Sequence, residues 1–247
     1  MAYKEHQILF NGEMVRAILE GRKSQTRRPM MPQPPEGHWW AETKGEERLA
    51  AEYYPSTHGR GCPCGIPGDR LWVRETFVLE ETDALMEGCP YREMDEPGEF
   101  GPYLVPHYRA TEPEPYIIPL DLGDSYDDRT RWHPSIHMPK WASRITLEVT
   151  DVRVQRVQDI SDGDAWDEGY PRDWAMDPVP QLCHIWFREQ WDAIYAKPKP
   201  VRRNKRIMYY ISYPWEEGTE TRDHRGLSWF VYGNPWVFIT DFRRIRL

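Results

Sequence analysis

A chain of 247 residues suits one domain or one elaborated domain and is short for two large ones; its 12 Trp, 14 Tyr and 7 Phe argue against wholesale disorder. The net charge of -8 gives no global pull toward polyanions, so any nucleic-acid site has to be a local basic patch. No apolar run approaches the roughly 18 residues of a membrane span and the N-terminus lacks the order of a signal peptide, which excludes membrane partners and predicts a cytoplasmic protein.

In chain order, Ile8 to Phe10 reads as a short strand, Asn11-Gly12 as a turn, and Met14, Val15, Ile18 and Leu19 recur at helical spacing up to a C-cap at Gly21. A loop-rich segment follows at about 29–66. It contains Cys62 and Cys64 in "GCPCG", a C-x-C whose candidate partners Cys89, His58, His133 and His137 are scattered. A Pro/Gly turn holding two thiols is expected there, with no metal site and no cofactor. Pro67-Gly68 suits the centre of a type II turn, and Leu71, Val73, Glu75 and Phe77 alternate with Trp72, Arg74, Thr76 and Val78 along one strand. That alternation turns the Glu75 carboxylate inward, where it needs a partner.

From about 80 to 131 the chain is acidic and Pro-rich, with eight carboxylates between Glu80 and Glu99 against one Arg, and reads as an insertion whose apolar segment is "YIIPLDL". Strand character returns at Ile145, Leu147 and Val149; the parity then flips to Val152 and Val154, which predicts a bulge or tight turn at Thr150-Asp151. Ser161 and Asp164 form an S-x-x-D capping box opening a short helix that ends near Gly169. A second helix spans about 181–196, with Leu182, Ile185, Trp186, Phe187, Trp191 and Ile194 as its apolar face. An added basic and hairpin segment occupies about 197–232, and a final strand follows the break at Gly233-Asn234-Pro235. Helices placed irregularly among mostly antiparallel strands predict an α+β chain, a small mixed β-barrel with flanking helices and long loop insertions, rather than a doubly wound sheet.

The blocks "ILFNGEMVRAILEGRKSQTRR", "PGDRLWVRETF", "WHPSIHMPKWASRITLEVTDVRVQRVQDIS", "DAWDEG" and "NPWVFITDF" resemble those of ASCH-domain proteins, in particular the larger versions common in phages and prophages. The resemblance implies a PUA-like barrel, a fold associated with RNA and modified-nucleoside recognition, and the host cytoplasm if the chain is phage-encoded. Within that superfamily, small amidohydrolases acting on N4-acetylcytidine carry a Lys and a Thr in "G-x-K-x-x-T" and a Glu in "A-x-x-E". Gly21, Lys23 and Thr26 match the first element, and Ala165 and Glu168 the second. The resemblance thus implies Lys23, Thr26 and Glu168 as catalytic candidates for metal-independent hydrolysis of an N4-acyl amide. Lys23 serves as a base only if burial or the cations Arg22, Arg27 and Arg28 depress its pKa.

Plain structural readings stand beside these. Cations after a helix interact favourably with its exposed carbonyls, by about 0.3–1 kcal/mol each, without any function. Trp72, Arg74 and Glu75, with Arg22 and Arg27, are candidates for gripping a base, although a Trp in an alternating strand also fits a core. "KPVRRNKR" holds five cations in eight residues. Its Arg202, Arg203 and Lys205, beside Tyr209, Tyr210 and Tyr213, make the basic and aromatic mixture that single-stranded nucleic acid favours, and a solvated loop is the alternative. The chain is therefore read either as an enzyme on a modified nucleoside or as a module that binds RNA or modified DNA without turnover; a phage structural or host-interaction protein is a third reading.

Overall fold

The computed structural model describes residues 3–34, 61–85, 87–96, 98, 101–114, 132–171, 180–218, 221–222 and 226–245. "YIIPLDL" and His58 lie outside them. The elements are β1 (Glu5–Leu9), α1 (Gly12–Leu19), β2 (Gln25–Pro29), β3 (Arg70–Arg74), β4 (Phe77–Thr82), β5 (Arg92–Glu93), β6 (Tyr103–Tyr108), β7 (Thr146–Arg156), α2 (Asp162–Asp167), α3 (Pro180–Tyr195), β8 (Lys199–Arg203), β9 (Arg206–Ser212), β10 (Thr221–Arg222), β11 (Ser228–Val231) and β12 (Trp236–Ile245). This is a mixed α+β chain, mostly strand, and none of the sheets among the described residues closes into a barrel.

The chain divides into two compact units, the first formed by Met1–Gly21, Pro67–Val149 and Phe242–Leu247, the second by Arg22–Ile66 and Thr150–Asp241. In the first unit β1 runs parallel to β3, Ile8 opposite Val73, and β3 runs antiparallel to the start of β7, Leu71 opposite Leu147. Asn11 is not part of a turn. Its side chain accepts from the Met14 amide at 2.9 Å and caps α1, which stabilises the helix by about 1 kcal/mol. Gly21 ends the same stretch at φ 73°, the left-handed position that a Cβ disfavours. Ile8, Val15, Ile18, Leu71, Val73, Leu147 and Val149 are buried in this unit.

The strand expected to run through Glu75 is two strands, because the backbone leaves the ladder after Arg74 and resumes at Phe77. The acidic stretch carries regular structure: β4, β6 and β5 form an antiparallel sheet that buries Val105 and Tyr108. Tyr108 joins Phe77, Met138 and Ala142 in one apolar cluster and donates its phenol hydrogen to the Ala142 carbonyl at 2.7 Å. Strand parity had been hidden there by the carboxylates, which sit on half-exposed and exposed positions.

The second unit has the aromatic core. Phe187 and Trp191 of α3 pack with Val157, Ile160, Ala165, Cys183, Tyr213, Val237 and Ile239, and Trp191 donates its indole N–H to the Tyr213 carbonyl at 2.8 Å. Leu182 and Ile185, expected on the buried face, are instead exposed, and Cys183 takes their place. The capping box at Ser161 and Asp164 forms as the spacing predicts. The parity flip in β7 occurs, Val149 and Val152 both being buried, but the strand runs on unbroken through Thr150-Asp151. Lys199 to Arg206 is not a loop: β8 and β9 make a hairpin, and β9 continues into a four-stranded sheet of order β10-β11-β9-β8.

Candidate functional site

Two arrangements in the second unit concentrate the chemistry, and the first is buried. β2 has no aliphatic residue in "QTRRP", yet Gln25, Thr26 and Arg27 are all buried. Strand alternation puts Gln25 and Arg27 on one face and Thr26 with Arg28 on the other. On the first face stand the residues that bind Lys23. Its ammonium donates to the Gln25 carbonyl at 2.8 Å, the Glu168 carbonyl at 2.8 Å and Glu168 Oε2 at 2.7 Å. Those are three acceptors for three protons.

Segment 22–24 reaches these partners by pairing with the end of α2. Ser24 N–H donates to the Asp167 carbonyl at 2.8 Å, Lys23 bridges Glu168, and Arg22 donates to the Gly169 carbonyl at 2.8 Å. Cations thus do meet helix-end carbonyls here, but those of α2 rather than of α1.

The carboxylate of Glu168 is shared. Arg27 Nη1 lies 3.1 Å from its Oε1, and the same nitrogen donates to Gln25 Oε1. Arg27 Nη2 stands 3.1 Å from Asp164 Oδ2, near enough to pair in charge, though off the hydrogen-bond line, and Arg27 Nε has no acceptor among the described residues. The guanidinium also sits 5.5 Å from the Phe187 ring centroid. Gln25 donates to Asp164 at 2.9 Å and to Asp241 at 2.6 Å, and Arg153 bonds the same two carboxylates at 2.6 and 2.8 Å. Three cations, Lys23, Arg27 and Arg153, therefore balance three carboxylates, Glu168, Asp164 and Asp241.

Burial is the largest influence on these groups. It pushes the Lys23 ammonium below its ordinary 10.5, against Glu168, which favours the charged form. Burial also lifts the Asp164 carboxyl, but Arg27, Gln25, Arg153 and Ser161 outweigh it and leave the group below its ordinary 3.8. Asp241 ends above 3.8, because burial there exceeds the help from Gln25 and Arg153.

Thr26 is buried opposite Thr240 of β12, and no hydrogen bond among the described residues joins its hydroxyl to Lys23 or Glu168. Cys62 Sγ lies 3.4 Å from the Thr240 hydroxyl. The adjacent Cys64 thiol and burial push the Cys62 thiol up, which keeps it protonated and a poor nucleophile at neutral pH. The two cysteines sit in a turn closed by Gly65 N–H on the Cys62 carbonyl at 3.0 Å, and no metal-holding group of His, Cys, Asp and Glu occurs among the described residues.

Trp72, Arg74 and Glu75 belong to the first unit, whereas Lys23, Thr26 and Glu168 belong to the second. Arg74 is tied to Gln7 Oε1 and to the Ser135 and Ile136 carbonyls, and its guanidinium lies 5.5 Å from the Trp72 ring centroid. Glu75 finds the partner its inward position demands: Arg144 Nε and Nη2 grip its two oxygens at 2.9 Å each.

The second arrangement is exposed. Lys197, Lys199, Arg202, Arg203, Lys205 and Arg206 are all exposed, with no carboxylate in the sequence between Asp192 and Glu216. Ladder register makes Arg203 and Arg206 cross-strand partners, and a shift at Val201/Arg202 then keeps Pro200 opposite Tyr210. Trp229 of β11 lies beside Tyr210 in register. The shift leaves Met208 as an extra residue on β9, so Arg202, Tyr210 and Trp229 share one face, while Arg203, Arg206 and Tyr209 share the other with Ile211, which packs against the aromatic core. Asn204 and Lys205 form the hairpin tip, both left-handed at φ 50° and 64°. Lys199, at the base, has its ammonium 4.9 Å from the Tyr195 ring centroid and is held below 10.5 by burial and by Arg28.

Sequence reasoning missed Gln25, Asp164, Arg153 and Asp241 in the buried network, and Trp229 beside the hairpin. The capping box marks Asp164 as a helix start, but nothing in the sequence marks its second role beside Arg27. No family model matches the chain, and neither a curated protein nor a solved structure does.

Proposed function

We propose that the protein is a nucleic-acid recognition module that takes single-stranded RNA or DNA along the β8–β9 hairpin and the aromatic face beside it. One observation carries this reading: the hairpin presents cations against its own stability. Like charges directly opposite one another in a ladder are destabilising, yet Arg203 faces Arg206. A two-residue turn of this conformation favours Asn-Gly, yet Lys205 stands at the second position, where a Cβ costs about 1–2 kcal/mol. The charge repulsion is relieved when an anionic backbone binds, and Tyr210 and Trp229, on the face of Arg202, offer rings on which bases stack.

The test is fluorescence anisotropy with labelled single-stranded RNA and DNA over a range of salt. Four phosphate contacts give a slope of about -2.8 for log K against log salt, on about -0.7 per contact. Replacing Arg202, Arg203, Lys205 and Arg206 together by Ala flattens that slope; an unchanged slope and affinity in the variant rejects the reading.

A second reading follows from the likeness to ASCH-domain proteins with a PUA-like fold: hydrolysis of the N4-acyl amide of a modified cytidine. What favours it is the pairing of Lys23 with Glu168 at 2.7 Å and the lowered pKa of that ammonium. What weighs against it is that all three ammonium protons have acceptors and that Thr26 lies on the other face of β2. Release of cytidine from N4-acetylcytidine, lost in Lys23→Met and followed by chromatography, establishes this reading, and no release removes it.

A further inference from the structure

The first unit contains a cavity of about 560 Å³, within the size range of small-molecule sites, whose walls include Glu13, Arg16, Glu75, Thr76, Arg109 and Ala110. Its chemistry is unlike that of a typical apolar pocket. No aromatic ring lines it among the described residues; its polar side chains are two guanidiniums, two carboxylates, a hydroxyl and the Asn11 amide, and Ala110 and Pro113 supply the apolar part.

Each wall has a distinct state. Arg109 is exposed and its side chain makes no hydrogen bond or ion pair among the described residues, although its backbone N–H holds the Thr76 carbonyl at 3.1 Å. Arg16 uses Nη1 on the Ala110 carbonyl at 2.9 Å, which fixes the guanidinium at the cavity edge. Glu75 is buried, and Arg144 neutralises it while donating also to Thr111 and lying 3.9 Å from the Tyr108 ring centroid. With Glu75 neutralised, the remaining charges are Arg16 and Arg109 against Glu13, so the cavity favours an anion.

A tetrahedral phosphate dianion matches a pair of forked guanidiniums. Each carboxylate oxygen retains lone pairs beyond its ion pair, so Glu75 and Glu13 can accept from hydroxyl groups, and Thr76 can both donate and accept. A wall without aromatic rings offers a nucleobase no face to stack on, while its donors and acceptors suit a polyol. We propose that this cavity binds a phosphorylated sugar, with Arg16 and Arg109 on the phosphate and Glu13, Glu75 and Thr76 on the sugar hydroxyls. The proposal is independent of the nucleic-acid reading, which concerns the second unit.

The experiment is calorimetric titration of the full chain with ribose 5-phosphate, ribose and inorganic phosphate. Ribose 5-phosphate is expected to bind at least tenfold more tightly than either component. Arg109→Glu, at an exposed side chain, should abolish binding with an unchanged melting temperature. Glu13→Gln should weaken ribose 5-phosphate severalfold and leave inorganic phosphate unaffected, and Arg203→Glu on the hairpin should change neither. Equal affinity for inorganic phosphate and ribose 5-phosphate overturns the proposal, as does undiminished binding by Arg109→Glu.

Discussion

Two stretches of the second unit look alike in sequence and end in opposite environments. Arg22 to Arg28 and Lys197 to Arg206 are both dense in Lys and Arg. In the first, Lys23 and Arg27 are buried and their charges are met by Glu168 and Asp164; in the second, all six cations are exposed. The cation that looked catalytic is internally satisfied, and the cations that looked like a solvated loop stand on a hairpin that local energetics disfavours. What separates the two is the supply of carboxylates: α2 brings Asp164 and Glu168 to the first stretch, and none lies between Asp192 and Glu216 for the second.

The largest test of this contrast is Glu168→Gln. It leaves Lys23 without its counter-charge in a buried site, where loss of one partner costs about 3–5 kcal/mol. Urea unfolding should show a drop of that size, and the double change Lys23→Met with Glu168→Met should recover most of it. A loss under about 1 kcal/mol means the network contributes no stability, and the contrast fails. On the exposed face, Tyr210→Ala should weaken oligonucleotide binding by about 1–3 kcal/mol per base stacked, with the salt slope unchanged, because stacking releases no counterions.

A smaller and more diagnostic effect comes from Arg203→Glu. It turns a like-charge pair with Arg206 into an opposite-charge pair and should raise stability by about 0.2–1 kcal/mol while lowering affinity for single strands. Gain of stability together with undiminished affinity breaks the link between the hairpin and function.

The smallest effect lies in the acid limb. Asp164 has a folded pKa below 3.8, so its contribution is present above that value and lost as pH falls through the folded one. Asp164→Asn should therefore flatten the rise of melting temperature between about pH 2 and 4. Asp241, with its pKa raised, acts in the opposite sense: its stabilisation exists below 3.8 and disappears as pH rises through the folded value, so Asp241→Asn should steepen the rise of melting temperature in the window just above 3.8.

Elements whose signals are local were legible in the sequence. The S-x-x-D box, the Gly21 cap and the extent of α3 depend on residues a few positions apart, and each forms. β2 was not legible, because its burial depends on Glu168 and Asp164, some 140 positions away, and its polar residues invert the hydrophobic pattern on which strand recognition rests. β6 was hidden for a related reason: His107 lies in it with Glu80 at 2.7 Å and Glu112 at 2.9 Å, so carboxylates that read as a solvated insertion are partners of a buried ring. For the candidate site, the two matched elements correctly pointed to a contact between Lys23 and Glu168, but spacing alone could not show that alternation turns Thr26 the other way. The Arg203–Arg206 opposition follows from the two-residue turn at Asn204-Lys205, whereas the shift at Val201/Arg202, which decides the face that Tyr210 shares, is announced by no residue in that hairpin.

Strands β7 and β12 each carry a unit boundary within them, at Val149/Thr150 and Asp241/Phe242. Each unit is thus assembled from separated stretches of chain, and Asp241, which ends the second, directly precedes Phe242, which opens the last segment of the first. Neither unit can therefore be obtained by truncation, and neither has its full set of residues until synthesis has passed Asp241 and Phe242.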